Sequence, residues 1–215
     1  MVLAVPPDDT SPPLIRPAAT TVLWRAGKDG PEVLMGQRGA QAAFMPSKYV
    51  FPGGAVDAAD AQSAADDLLH PLSAARLLLN CADDAPAPQT IAKAALRELW
   101  EETGLLLDIP KKPDTGLRFI FRAITPPGRS RRFDARFLLA DAGWIAGDPD
   151  DFSASSDELS HLHWIGLAKA RALDLPFITE VVLAEISHLL RANGDAAGVP
   201  FFDNSGTIPT FRRLL

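Results

Sequence analysis

The chain has 215 residues, 27 acidic against 21 basic side chains, and a formal net charge of -6. That length suits one domain with additions and a sizeable core, and the acidic balance argues against nucleic acid as a partner. The single cysteine, Cys81, excludes a disulfide framework and a cysteine-rich zinc site, and no run reaches the roughly 20 apolar residues of a membrane-spanning helix.

In chain order, residues 1–17 carry Pro6, Pro7, Pro12, Pro13 and Pro17 and read as an extended arm ahead of one domain, 18–215. The start has neither a basic n-region nor a long apolar stretch, and Phe211-Arg212-Arg213-Leu214-Leu215 is not a peroxisomal ending. Cytoplasm is therefore the expected location. Strands are predicted at Ala19–Arg25 and Glu32–Gln37, joined through Gly27 to Pro31 as a hairpin. After a loop, Tyr49-Val50-Phe51 is a short strand entering Pro52-Gly53-Gly54, where glycines permit close backbone approach.

Residues 61–88 are rich in Ala, Asp and Leu, with helices predicted at 61–69 and 73–81. Leu68, Leu72, Leu77, Leu78 and Leu79 would form an exposed apolar patch if left wet. This piece is expected to pack on the domain or on a second subunit of a homodimer. Asp83 to Pro88 breaks the chain before a helix starting near Thr90.

That helix carries the chemistry. Glu98, Glu101 and Glu102 stand at i, i+3 and i+4 and share one side. Like charges so placed repel, and glutamates at a helix C-terminus oppose the macrodipole. A sequence that tolerates both has a cation to bring there, and a hard divalent ion with oxygen ligands, Mg²⁺ or Mn²⁺, suits carboxylates. The plainer alternative is a solvated acidic helix end. Gly104 is placed to stop the helix, with Leu105 as the hydrophobic contact after it.

Further strands are predicted at Leu117–Thr125 and Phe133–Ala140. The arginines of the loop between them fit a solvated turn as well as an anion contact. Asp157-Glu158-Leu159 leads into a strand through Ile165, in which His161 and His163 read as surface residues rather than ligands. Helices follow at 167–173 and 177–192, and the tail to Leu215 reads as irregular.

Gly54, Arg97, Glu98, Leu99, Glu101, Glu102, Gly104 and Leu105 match the signature box of the Nudix hydrolases, which the chain resembles over about residues 18–175. Two departures stand out: the box's early Glu falls on Asp60, and its short spacer becomes the long stretch 61–96. An insertion at this place, together with Arg132-Phe133-Asp134-Ala135-Arg136-Phe137, is similar to a branch linked to coenzyme A hydrolysis. Leu34-Met35-Gly36-Gln37-Arg38 matches part of that branch's upstream motif; its second arginine is absent, Lys48 being the only basic residue in 39–50.

The resemblance implies an α/β/α sandwich with a mixed sheet and a helical insertion. It also implies hydrolysis of a diphosphate joining a nucleoside to another moiety, coenzyme A or an acyl-coenzyme A among them, with Mg²⁺ or Mn²⁺ as cofactor. Glu98 and Glu102 would be metal ligands, with Glu101 and the Gly53 carbonyl completing the set, and Arg97 would hold a glutamate in place. Arg38 and Gly54 would meet the substrate. The general base would be Glu98 or, from the later loop, Glu158, and Asp60 would brace the loop or Arg97. The rival class is a Nudix domain without catalysis that senses a nucleotide.

Overall fold

A computed structural model describes residues 13–62, 67–192 and 197–215. The hairpin forms from β1 (Ile15–Gly27) and β2 (Gly30–Arg38), paired antiparallel with Gly27 opposite Gly30. Residues 15–17, expected in the arm, already belong to β1, because Ile15 to Pro17 pair with Arg132 to Asp134. Of the rest of the predicted arm, Pro13 and Leu14 lead into β1 without regular structure, and 1–12 lie outside the described residues.

Two short strands follow, β3 (Tyr49–Val50) against β2 and β4 (Gly53–Ala55) against β1. A 3₁₀ turn, Ala58–Ala61, precedes α1 (Pro71–Leu77) and α2 (Pro88–Thr103). Then come β5 (Arg118–Ile124), β6 (Arg132–Asp141), β7 (Leu159–Gly166), α3 (Leu167–Ala170), α4 (Phe177–Arg191), β8 (Val199–Asp203) and β9 (Thr210–Leu214). The sheet runs β3-β2-β1-β6-β5-β8-β9, with β4 also on β1 and β7 also on β2. It is mixed, since β1/β6 and β5/β8 are parallel and the other pairs antiparallel.

Alternation along the strands divides the core into two layers. On β6, Leu138 and Ala140 point to one face, where they meet Leu23 and Leu34 with Ile91, Ala92, Ala95 and Leu99 of α2. Phe137 and Leu139 point to the other, against Val22, Val33 and Phe121 with Val182, Leu183 and Ile186 of α4. The architecture is thus the α/β/α sandwich. Each such buried Leu, Ile or Phe contributes about 1.5–3 kcal/mol relative to staying wet. Thr21 of β1 adds a buried hydrogen bond from Oγ1 to the Ala95 carbonyl at 2.9 Å, which fixes α2 on the sheet.

The stretch 61–88 departs from expectation. The helix predicted over 61–69 is not seen among its described residues: Leu68 and Leu69 lie extended beside Leu117, whose N–H donates to the Leu68 carbonyl at 2.8 Å. Residues 63–66 of that helix lie outside the described residues. Pro71 then starts α1, because proline suits a first turn and cannot continue a helix from upstream. The second helix ends at Leu77, short of Cys81. Leu77 is buried at 2% exposure and Leu68, Leu69 and Leu79 pack on the core, but Leu72 at 41% and Leu78 at 65% stay wet.

The tail also differs: it forms β8 and β9 and extends the sheet rather than remaining irregular. Gly198 and Pro200 mask a strand signal locally. The strand is held by long-range contacts, with Phe201 buried beneath the Arg122 guanidinium, 4.4 Å from the ring centroid. No helix among the described residues is long and apolar enough to cross a membrane.

Candidate functional site

Helix α2 positions most of the site. The buried face of its N-terminal half, Ile91, Ala92, Ala94 and Ala95, is small or apolar, so it lies close on β1, and it stops at Gly104, whose φ of +77° suits glycine. The last two turns therefore sit beside β4 and present their polar residues to it. Glu102 is buried at 2% exposure, and its Oε2 accepts from the Gly53 N–H at 2.7 Å. Glu98 lies against Gly54 so closely that a Cβ there would fall 2.4 Å from either carboxylate oxygen. The glycines after Phe51-Pro52 are thus needed for approach: Gly53 supplies a donor and Gly54 supplies space.

Arg97 is the hub of the polar network. Its Nε and Nη2 donate to both oxygens of Asp60 at 2.9 and 3.1 Å, and Nη2 also donates to the Ala55 carbonyl at 3.0 Å. Its Nη1 donates to Glu98 at 2.8 Å and to Glu101 at 2.9 Å. The Asp60 bond, the largest influence, helps hold the guanidinium firmly protonated against the opposing effect of burial. Asp60 in turn accepts the Asp57 N–H at 2.8 Å and is buried, so it braces the loop as the resemblance implied.

Electrostatics distinguish the carboxylates. Burial pushes the Glu102 carboxyl up to about 8, against the pull of the Gly53 N–H and the Arg38 charge, while Glu98 and Glu158 add to the rise. Burial also raises Glu98, opposed by Arg97 and reinforced by Glu101 and Glu158. Glu158 is exposed at the mouth of the site, carried in by the loop before β7. Antiparallel pairing of β2 with β7 sets Arg38 opposite Leu159, next to Glu158. The Arg38 Nε is buried without a hydrogen-bond partner.

The structure therefore groups Glu98, Glu102, Glu158 and Arg38, with Gly53 and Gly54 as the floor. Glu101 stands apart, half exposed and tied to Arg97. Among the described residues no three His, Cys, Asp or Glu side chains converge as a metal cage. Mg²⁺, however, commonly takes only one or two protein carboxylates and completes its shell with water and substrate phosphates. Two adjacent carboxyls, both raised by burial and by neighbouring negative charge, fit such an ion as a donor set of hard oxygens.

Arg132 and Arg136, in the stretch resembling the coenzyme A branch, point elsewhere. Arg132 donates to the Thr125 and Asn204 carbonyls, and Arg136 is buried beside Asp134. His161 and His163 stay on β7 outside the carboxylate group, the His163 ring contacting the His161 carbonyl. The helix anchor Thr21 and the Ala55 carbonyl were not legible in sequence, since neither belongs to a motif.

No protein-family model matches the chain. Among solved structures, a NUDIX hydrolase from Alicyclobacillus acidocaldarius is 29% identical, with a TM-score of 0.57, over 80% of this chain and 90% of that one. The NUDIX domain of Shewanella oneidensis NrtR, solved with ADP ribose, is 14% identical, with a TM-score of 0.53, over 82% and 89%. An Ap4A hydrolase from C. elegans is 19% identical, with a TM-score of 0.52, over 83% and 99%. The latter two share the fold. The chain thus has the fold of these Nudix structures, with its glutamate-bearing helix packed on the sheet beside β4.

Proposed function

We propose that the chain cleaves the diphosphate linkage of a nucleoside diphosphate joined to another moiety, with coenzyme A or an acyl-coenzyme A as the first candidates. Mg²⁺ or Mn²⁺ would be held by Glu98 and Glu102, with Glu101 and the Gly53 carbonyl as further donors. The observation that carries this reading is the buried Glu102 carboxyl, raised to about 8 beside Glu98 and within reach of the Glu158 charge. Such a group gains a stable ionised state only when a cation joins it. The bound ion would supply charge neutralisation at the phosphoryl oxygens and a more acidic water.

The chain's own residues have separable tasks in this reading. Arg38 offers a fork of donors to a phosphate, and its unpartnered Nε makes it available for that role. Gly54 keeps the floor low enough for the diphosphate to approach Glu98. Arg97 fixes the Glu98 carboxylate through Nη1 while Asp60 fixes Arg97. Glu158, exposed at the mouth, takes the proton from the attacking water, or Glu98 does.

The reading is tested by offering coenzyme A, an acyl-coenzyme A, nucleotide sugars and dinucleoside polyphosphates with Mg²⁺ or Mn²⁺ and recording product masses. Cation-dependent cleavage between two phosphorus atoms is expected. Saturable nucleotide binding by calorimetry with no turnover of any compound overturns it in favour of the sensing domain.

A further inference from the structure

Beneath the end of the insertion, away from the carboxylates, lies a second charged cluster. Arg122 of β5 donates through Nε and Nη2 to both oxygens of Asp134 at 2.8 and 2.7 Å. Its Nη1 donates to the Leu79 and Asn80 carbonyls at 3.2 and 3.0 Å and reaches the Cys81 sulfur at 3.8 Å. Arg136 of β6, 1% exposed, shares Asp134 Oδ2 at 2.9 Å and also faces the sulfur. Its Nε is buried and has no partner. Arg212 of β9 completes the group, paired with Asp203 at 2.6 Å and near Asn80 at 3.5 Å.

Three guanidinium groups thus face two carboxylates around one half-buried thiol. Such a cluster is one anion short, and an unsatisfied buried guanidinium N–H is costly. The thiol itself donates to the Leu77 carbonyl at 3.0 Å. Burial accordingly lowers the proton affinity of Arg136.

We propose that Cys81 is an oxidation site for a peroxide-class oxidant, and that its sulfinate is held by Arg136 and Arg122. In the first step the sulfur attacks one peroxide oxygen, the O–O bond breaks, and thiol plus hydrogen peroxide give sulfenic acid plus water. In the second, sulfenic acid plus hydrogen peroxide give sulfinic acid plus water, and the acid loses its proton. Each step oxidises sulfur by two electrons and reduces one peroxide. The sulfinate oxygens then accept from Arg136 Nε and Arg122 Nη1, tying the insertion to the sheet by charge.

Cys81 is the chain's only thiol, so the unfolded chain is its own reference. Hydrogen peroxide is added to the native protein and to the protein in urea at one pH, and oxygen uptake at Cys81 is followed by mass spectrometry, with Cys81→Ser as the blank. The expected result is at least severalfold faster oxidation in the native protein, despite partial burial, and a sulfinate form that melts no lower than the reduced form. Oxidation that is equal or slower in the native protein overturns the proposal, as does a sulfinate form that melts lower.

Discussion

Arg97 and Asp60 form a two-pronged ion pair, Nε to Oδ1 at 2.9 Å and Nη2 to Oδ2 at 3.1 Å, across 37 residues of sequence. The aspartate, one methylene shorter than a glutamate, reaches because the 3₁₀ turn at Ala58–Ala61 brings its backbone up to the helix. Through this pair the loop, the helix and Glu98 are fixed by one guanidinium.

Asp60→Asn keeps one acceptor and loses the charge, so the expected effect is on stability first. A charged hydrogen bond of this kind contributes about 1.5–3 kcal/mol, and a chain of this size loses roughly 2–4 °C of Tm per kcal/mol. Turnover should fall by no more than about tenfold, or ~1.4 kcal/mol, with the cation requirement unchanged. Measuring kcat against Mg²⁺ concentration beside Glu102→Gln separates the roles; equal failure of the two variants would make Asp60 a ligand.

Glu102 gives the protein a pH signature. Its folded-state pKa, about 8, lies above the ordinary 4.5, so the folded chain binds this proton more tightly than the unfolded chain. Metal-free stability is therefore greatest at low pH on this account and declines as pH rises from about 4.5 toward 8, by an amount on the order of a few kcal/mol. Excess Mg²⁺ should restore Tm above pH 7. Glu102→Gln should flatten the metal-free decline while removing nearly all turnover. A melting series from pH 5 to pH 9 checks this, and an unchanged slope in the variant would count against the assignment.

Gly54→Ala places a Cβ against the end of the Glu98 side chain rather than against backbone. A flexible carboxylate can swing away, so the fold should survive with Tm within a few degrees, while displaced Glu98 should lower kcat at least tenfold, ~1.4 kcal/mol or more. Normal turnover in a folded Gly54→Ala would show that the position of Glu98 is immaterial.

Ser73 ties α1 to the sheet: its Oγ accepts the Phe119 N–H at 2.9 Å, buried from water. Ser73→Ala leaves that donor unsatisfied at a cost of about 1–3 kcal/mol. Limited proteolysis should then cut near residues 68–79 faster than in the parent chain, with turnover retained. Indistinguishable cleavage patterns would mean that other contacts hold the insertion.

The sequence by itself determined the helix and the side its glutamates share, because both are local. The i, i+3, i+4 spacing of Glu98, Glu101 and Glu102 sets them on one side of any helix, and Gly104 is the residue a left-handed stop favours. Strand alternation likewise announced the sheet around β6, whose side chains sort to opposite faces. What only the tertiary structure decided depends on partners far along the chain. Identical glutamates on one helix become different groups, Glu102 buried and raised by the desolvation that β4 imposes, Glu101 held in the open by Arg97. β8 and β9 form because Phe201 finds Arg122 and Leu214 finds the core, contacts that no local pattern around Gly198 and Pro200 encodes. Arg132 and Arg136, in the stretch similar to the coenzyme A branch, are withdrawn into the interior by carbonyls and Asp134, since burial and pairing are properties of the assembled sheet and not of the residues that compose it.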